Sequence, residues 1–211
     1  RKEADDFVSR PEVRKMLEVN VIKGQYCIVY GSKGVGKSAV VNDMFWDKPG
    51  VVGIKVTHLI TSNELVSQLV LKVLGPGASV NVQEEDLITA LKSSAEPITI
   101  IFEAEPSNSP NQQAILGAVR SLAKSLAPFA RCVIVLSEAN AILEFGRDDT
   151  RENYVYVDEM TREEAKQLLL KKGAHFTEEE LQFIFDNLGT APSQLIHLCM
   201  RVPGLETVQA Y

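Results

Sequence analysis

Residues 31–38 read GSKGVGKS, a glycine-rich loop that ends in a lysine and a serine. The loop stands between an apolar run of strand length, Tyr26–Tyr30, and an apolar segment of helical character, 37–45. Glycine adopts positive φ at little steric cost, so such a loop can turn several backbone N–H groups toward one point. The helix that follows adds the positive end of its dipole at the same point. The sequence therefore predicts a strand–loop–helix unit whose loop binds an anion.

The spacing G-x-x-x-x-G-K-S is that of the Walker A motif, or P-loop. In such a loop the backbone surrounds a phosphate, Lys37 reaches the β- and γ-phosphates, and the Ser38 hydroxyl binds Mg²⁺. A nucleotide with Mg²⁺ is therefore the predicted ligand. The predicted phosphate-binding residues are Gly31, Ser32, Lys33, Gly34, Val35, Gly36, Lys37 and Ser38.

Apolar runs of strand length alternate with helical segments through the first three quarters of the chain. Two of the runs, ITIIF and CVIVL, are continuous and β-branched, which is typical of strands buried on both faces of a parallel sheet. This alternation predicts an α/β fold with right-handed crossovers. After Asp158 the pattern predicts only helices, so we place an α/β domain at 1–158 and a helical lid subdomain at 159–211. The predicted strands are Tyr26–Tyr30, Val51–Val56, Ile98–Phe102, Cys132–Leu136 and Tyr154–Val157.

An ATPase also needs an acidic side chain at the end of a neighbouring strand, to hold Mg²⁺, and often a second acid that acts as the base. The third run is followed by Glu103, Ala104 and Glu105. Glu103 is the predicted Mg²⁺-binding acid of the Walker B motif, and Ala104 stands where the base usually is. Either Glu105 replaces that base, or hydrolysis is impaired and the domain mainly binds nucleotide. Ser137, at the end of the fourth run, is the predicted sensor that contacts the γ-phosphate or the attacking water.

Composition excludes several other classes of protein. The chain has 22 basic and 28 acidic residues, a net charge of −6, which argues against binding nucleic acid over its whole surface. No stretch approaches 18 apolar residues, so no membrane span is predicted. Three cysteines do not make a disulfide framework, and we expect them in a reduced, intracellular protein. The chain begins at Arg1 without an initiator Met, so we expect a domain of a longer protein.

The order of these motifs, with the helical segment at the end, resembles the AAA+ and STAND groups of P-loop ATPases. The segment GTAPSQL at 189–195 is similar to the G-x-P-x-x-L motif that opens a lid helix in archaeal and STAND-type members. The resemblance covers nearly the whole chain. It implies a five-stranded parallel sheet of order 5-1-4-3-2, with ATP and Mg²⁺ held between the sheet and a small C-terminal lid.

The same resemblance implies further site residues. Arg10, Pro11 and Val13 would line the adenine pocket, and Pro192 of the lid would close its other side. An arginine before the fifth strand, at 147 or 151, would be either an arginine finger for a neighbouring subunit or an ordinary surface arginine in an acidic loop.

Within that group, the run RPEVRKMLEVNVIKGQYCIVYGSKGVGKSAVVNDMF most resembles the NTPase modules of Crinkler-type effectors and retrotransposon-hot-spot proteins. The segments GVVGIKV and YVDEMTREEAKQLL fit the same families. The resemblance implies a targeting region upstream, often a nuclease- or kinase-like domain downstream, and a nuclear location for an effector.

We therefore expect an ATP-binding module that hydrolyses ATP slowly and uses it as a conformational or assembly switch, with self-association through the NTPase domain. One alternative is a nucleotide-binding interaction module without turnover, which Ala104 favours. A second is a P-loop kinase, which is disfavoured because the lid helices carry only Arg162 and Arg201 where a kinase has an arginine-rich lid. Neither a membrane nor a nucleic acid is a predicted partner.

Overall fold

The structure is a computed structural model that describes residues 7–46, 48–57, 59–75, 83–105, 111–136 and 150–201. These residues form five strands and eight helices. The strands are β1 Tyr26–Tyr30, β2 Val51–Val56, β3 Thr99–Ala104, β4 Arg131–Leu136 and β5 Glu152–Tyr156. The helices are α1 Pro11–Asn20, α2 Lys37–Phe45, α3 Ser62–Leu74, α4 Glu84–Ser93, α5 Gln112–Leu126, α6 Arg162–Lys171, α7 Glu178–Leu188 and α8 Pro192–Arg201.

The strands form one parallel sheet in the order β2-β3-β4-β1-β5. Read from the other edge this is 5-1-4-3-2, so the predicted α/β fold, strand order and helical lid are confirmed. The third strand extends beyond its apolar run, because Glu103 and Ala104 pair with Lys55 and Val56 of β2. Strand pairing is a property of the backbone, and hydrophobicity alone therefore placed the end of β3 too early.

Both faces of the sheet are buried, which explains its continuous apolar strands. In β3, the even-numbered Ile100, Phe102 and Ala104 pack with α3, α4 and α5, whereas Ile101 faces the opposite layer with α1 and α2. Successive side chains of a strand point to opposite faces, so the helices separate into two layers. The glycine loop connects β1 to a helix of the second layer, α2.

Helices α6, α7 and α8 pack around an apolar cluster of their own. Its buried members include Leu168, Leu181 and Leu195, together with Val8 from the segment that precedes α1. Capping boxes, in which Thr161 pairs with Glu164 and Thr177 with Glu180, begin α6 and α7. Residues after 158 thus bury a separate core, and the N-terminal segment contributes to it. The domain division at 158 itself stays a prediction.

The three cysteines are free. Cys27 and Cys132 lie in the sheet, where burial raises the pKa of each thiol to about 12. They are therefore poor nucleophiles that pack as small apolar side chains. Among the described helices, none combines the length and apolar composition that a membrane crossing requires.

A polar cluster closes the amino-terminal edge of the sheet, at the opposite end from the glycine loop. Glu152 has a fully buried side chain that accepts hydrogen bonds from the hydroxyls of Tyr26 and Tyr154. The Arg120 guanidinium donates to the same carboxylate, with Nε 2.6 Å from Oε1. Burial, with the Glu152 carboxylate beside it, raises the pKa of the Tyr26 hydroxyl. Four polar groups thus satisfy one another where β1, β5 and α5 meet.

Replacing Glu152 with alanine is expected to lower the free energy of unfolding by about 3 kcal/mol, because it removes the buried carboxylate to which Arg120 and two tyrosine hydroxyls donate. The matched control is Asp186→Ala, which breaks the exposed Arg162–Asp186 pair and is expected to cost less than about 1 kcal/mol. Urea denaturation measures both losses, and equal losses would contradict a stabilising role for the cluster.

Candidate nucleotide-binding site

The glycine loop begins where β1 ends, beside the carboxyl end of β5. The Val157 N–H donates to the Tyr30 carbonyl at 2.8 Å, so the chain after β5 runs directly alongside the loop. Gly31 has φ +151°, and a Cβ placed on it would lie 2.1 Å from the Val157 carbonyl oxygen. Only glycine therefore fits at the first position of the motif.

The loop then turns through two further glycines with positive φ, Gly34 at +85° and Gly36 at +90°. The carbonyl of Gly34 accepts from the Ser193 N–H at 3.2 Å, that of Val35 from Arg10 Nη1 at 3.0 Å, and that of Gly36 from the Val40 N–H at 3.0 Å. In a trans peptide the next N–H points opposite to the carbonyl. Each N–H of residues 35, 36 and 37 therefore points away from the group that binds the carbonyl of the same peptide, as an anion-binding loop requires.

Lys37 supplies a positive charge inside this loop. It is only 6% exposed, and its Nζ donates to the carbonyls of Gly31 at 3.0 Å and Ser32 at 2.7 Å. The predicted Mg²⁺ ligand Ser38 is exposed in the first turn of α2, and Ser32 and Lys33 are exposed in the loop. A partly desolvated ammonium, a helix N-terminus and inward N–H groups together create a positive potential suited to a polyphosphate.

The acidic residues lie at the same edge of the sheet. Glu103 is half-buried on the face that carries α2, and its neighbours across the sheet are Lys55 and Val135. Ala104 faces the other layer at 6% exposure, so the position of the usual base carries a buried methyl group. Glu105 follows the strand, is exposed, and donates its N–H to the Val56 carbonyl at 2.9 Å. The sensor residue predicted at 137 lies outside the described residues.

The lid touches the loop through the start of α8. Pro192 is buried, and its Cγ is 3.7 Å from where a Gly36 Cβ would be. A Cβ on Gly34 would lie 1.9 Å from Ser193 Oγ, so the absence of that carbon lets the helix approach. The resemblance implied a role for Pro192. No sequence signal pointed to Ser193, since a serine after a helix-starting proline is common and indicates no particular contact.

Residues expected to line an adenine pocket are dispersed around α1. Pro11 is exposed in the first turn, and Val13 is buried with α2. The Arg10 guanidinium lies between the loop and the lid connection, bonded to the carbonyls of Val35, Asp158 and Glu159. Nothing in the sequence signalled these contacts, because they join Arg10 to residues that are 25, 148 and 149 positions away. The adenine-binding roles stay predictions.

The candidate arginine finger that the structure describes, Arg151, precedes β5. Its carbonyl accepts from the Tyr26 N–H at 3.0 Å, which places it at the amino-terminal edge of the sheet, away from the loop of its own chain. The other candidate, at 147, lies outside the described residues.

Similar folds occur among solved structures. A signal transduction ATPase with numerous domains (STAND) and a tetratricopeptide repeat sensor, from Pyrococcus horikoshii, aligns with 96% of this chain and 31% of its own, with a TM-score of 0.61 and 19% identity. Cdc6p from Pyrobaculum aerophilum aligns with 95% of this chain and 65% of its own, with a TM-score of 0.57 and 16% identity. The Aeropyrum pernix Orc1 protein, solved in complex with DNA, aligns with 94% and 58%, with a TM-score of 0.52 and 14% identity.

At these identities the likeness establishes the fold alone, a five-stranded parallel α/β sheet with flanking helices that this chain shares with those proteins. The chain spans between 31% and 65% of the length of these three proteins. No family model and no curated protein matches the chain.

Gly34→Ala is expected to displace α8 from the loop, because the new methyl group meets Ser193. Gly173→Ala is the matched control, since Gly173 also has positive φ, +75°, but open space around its Cβ position. In both variants the backbone strain is expected to lower the free energy of unfolding by about 1–2 kcal/mol, and only Gly34→Ala adds the loss caused by the clash with Ser193.

Urea denaturation and hydrogen exchange over 190–196 measure the difference. Ser193→Gly in the Gly34→Ala background is expected to recover the excess loss. Equal losses for the two glycine variants would contradict the contact between loop and lid.

Proposed function

We propose that this chain is an ATP-binding module of the AAA+/STAND type that takes ATP with Mg²⁺ in the loop 31–38. The observation that carries the proposal is the buried Lys37 ammonium, set in a loop whose carbonyls at 34, 35 and 36 are all engaged by other groups. A loop that only reversed the chain direction would not require a desolvated cation beside its backbone.

The donor set of the loop fits a triphosphate. The space beside Gly31 and Gly34 is taken by Val157 and Ser193, so both glycines serve contacts within the protein, and the groups that suit a phosphate are the Lys37 ammonium and the backbone N–H groups at the start of α2. Bound ATP with Mg²⁺ would supply the γ-phosphoryl group and the metal charge that polarises it. Lys37 and the N–H groups of residues 35–37 would hold the phosphates. Ser38 and Glu103 would bind the metal, and Pro192 would contact the adenine ring.

The acidic residues at the end of the third strand support slow hydrolysis of ATP. Glu103 stands on the loop-helix side of the sheet, and a carboxylate there suits Mg²⁺. The neighbouring Ala104 offers no proton acceptor, so water would be activated by Glu105 or not at all. A nucleotide-binding module without turnover is the second candidate, and the buried methyl group of Ala104 favours it.

The contact of α8 with the loop supports a switch. Ser193 and Pro192 meet the two glycines beside the phosphate-binding N–H groups, so nucleotide and lid share the same few residues. A ligand that contacts both the loop and the lid shifts the lid from one position to another only if it binds the chain more tightly in one of those positions. We propose that ATP sets the lid position, or the assembly state of the chain.

The wider context is proposed from the resemblance alone. The similarity of the run 10–45 to Crinkler-type and retrotransposon-hot-spot modules supports a place within a longer, effector-type protein. DNA binding by the Aeropyrum pernix protein is not extended to this chain, because its net charge of −6 does not favour a polyanion.

Lys37→Ala is expected to weaken binding of Mg-ATP by about a hundredfold, because it removes the charge-assisted contact to the phosphates. Isothermal titration calorimetry measures the affinity, and circular dichroism verifies that the fold is kept. Lys48→Ala removes an exposed lysine beyond α2 and serves as the control, with unchanged affinity expected. Unchanged affinity in Lys37→Ala would rule out the loop as the binding site.

Turnover by the native chain is expected to be slow, below about 1 per second, because the usual base is missing. A phosphate-release assay compares Glu103→Gln with Glu105→Gln. Loss in Glu105→Gln identifies a replacement base, and loss confined to Glu103→Gln identifies the metal-binding acid alone. Full turnover in both variants would remove these carboxylates from the mechanism.

A further inference from the structure

We propose that Arg10 is a positioning residue that couples the glycine loop to the lid, so that nucleotide in the loop is sensed by the lid through its guanidinium. The proposal rests on the proposed function and specifies how the site is regulated. Arg10 is 5% exposed and bonds to three carbonyls in two segments, the glycine loop and residues 158–159, and such a group can relay a change from one segment to the other.

On the loop side, Arg10 controls one peptide plane. Its Nη1 donates to the Val35 carbonyl at 3.0 Å, and the same peptide carries the Gly36 N–H on its opposite side. That N–H is one of the three turned toward the proposed phosphate site. This peptide rotates about ψ of Val35 and φ of Gly36, and Gly36, at φ +90°, has no side chain to restrict that rotation. Arg10 donates a hydrogen bond that restrains it.

On the lid side, Arg10 fixes the connection between the sheet and α6. Nη1 donates to the Asp158 carbonyl at 3.1 Å and Nη2 to the Glu159 carbonyl at 2.8 Å. The Glu159 carboxylate in turn accepts from the Thr190 N–H at 2.8 Å, just before α8. One guanidinium therefore contacts the loop and the connection that leads to α6, and Glu159 of that connection binds the residue shortly before α8.

The segment around Arg10 is itself tied to the lid. Val8 is 2% exposed within the apolar cluster of the lid, and Lys171 at the end of α6 donates to the Phe7 carbonyl at 2.6 Å. A movement of the lid must therefore move residues 7–10 or break these contacts. Because Arg10 begins α1, it cannot follow the lid freely, and its bonds must rearrange.

Among the described residues, one donor of Arg10 has no acceptor within hydrogen-bond geometry. Its buried Nε lies 3.4 Å from Glu164 Oε2 of α6 and forms an ion pair with it rather than a hydrogen bond. The same Glu164 oxygen accepts from the Thr161 N–H at 2.9 Å in the capping box of α6. A small movement of α6 toward Arg10 would complete a charge-assisted hydrogen bond, and the cap would be kept because Thr161 and Glu164 belong to the same helix. Two positions of the lid can therefore differ by one charge-assisted bond to Arg10, and nucleotide can bias the choice between them.

Hydrogen exchange of the full chain, with and without saturating Mg²⁺ and a non-hydrolysable ATP analogue, tests the proposal in Arg10→Ala. Without nucleotide, exchange over 159–171 and 190–196 is expected to rise about tenfold or more, because the lid loses its charge-assisted bonds to the loop. With nucleotide, the variant is expected to protect 31–38 while its lid gains no protection, whereas the native chain protects both.

Arg14→Ala is the matched control, because Arg14 lies on the same helix, is exposed, and pairs only with Glu18 and Asp43 among the described side chains. It is expected to behave as the native chain. A lid in Arg10→Ala that responds to nucleotide as the native lid does would overturn the proposal, and so would an equal effect of Arg14→Ala.

Glu164→Gln keeps the test decisive if Arg10→Ala does not fold. Glutamine retains the capping box but removes the charge beside Arg10, so exchange over 162–171 is expected to rise about threefold, and an unchanged rate would overturn the coupling. If the analogue alters no part of the native chain, the proposed function fails and nucleotide sensing fails with it. In that case the nucleotide-free comparison still reports whether Arg10 ties the lid to the loop.

Discussion

The interaction on which the rest of the structure depends is the set of hydrogen bonds that turns the carbonyls of residues 34, 35 and 36 into the protein. Each carbonyl that is held by another group points the N–H of the same peptide the opposite way, so these three bonds define the backbone surface that is proposed to bind phosphate. Their donors come from α8, from Arg10 and from α2. The site is therefore assembled from the lid, the N-terminal segment and the helix after the loop, although the motif itself occupies eight residues.

Because of these bonds, the lid contacts the loop directly, and a change in one is expected to alter the other. The two glycines that free the loop backbone are also the places where Ser193 and Pro192 approach. The opposite edge of the sheet is held by the buried cluster around Glu152, which keeps β1 and β5 in register without using any residue of the site. Rigidity at one edge and shared contacts at the other are what a nucleotide-dependent switch needs.

Much of this architecture could be predicted from the sequence, because the signals are local. The glycine pattern, the apolar runs and the capping boxes each depend on a few adjacent residues, and the strand order followed from resemblance. The contacts of Arg10, Glu159 and Ser193 could not be predicted, because they depend on which remote segments the fold brings together. The end of β3 was also missed, since Glu103 continues the strand pairing without continuing its hydrophobicity.

The central claim is that residues 31–38 form a triphosphate site under a lid that begins at Pro192. Amide NMR of the ¹⁵N-labelled native chain during titration with Mg-ATP tests this most directly, because each glycine of the loop reports separately. The account predicts saturable shifts of the amides at 34–38, with smaller shifts at 193–195 where α8 meets the loop. Loop amides that stay unchanged at saturating Mg-ATP, or shifts confined to other parts of the chain, would contradict it.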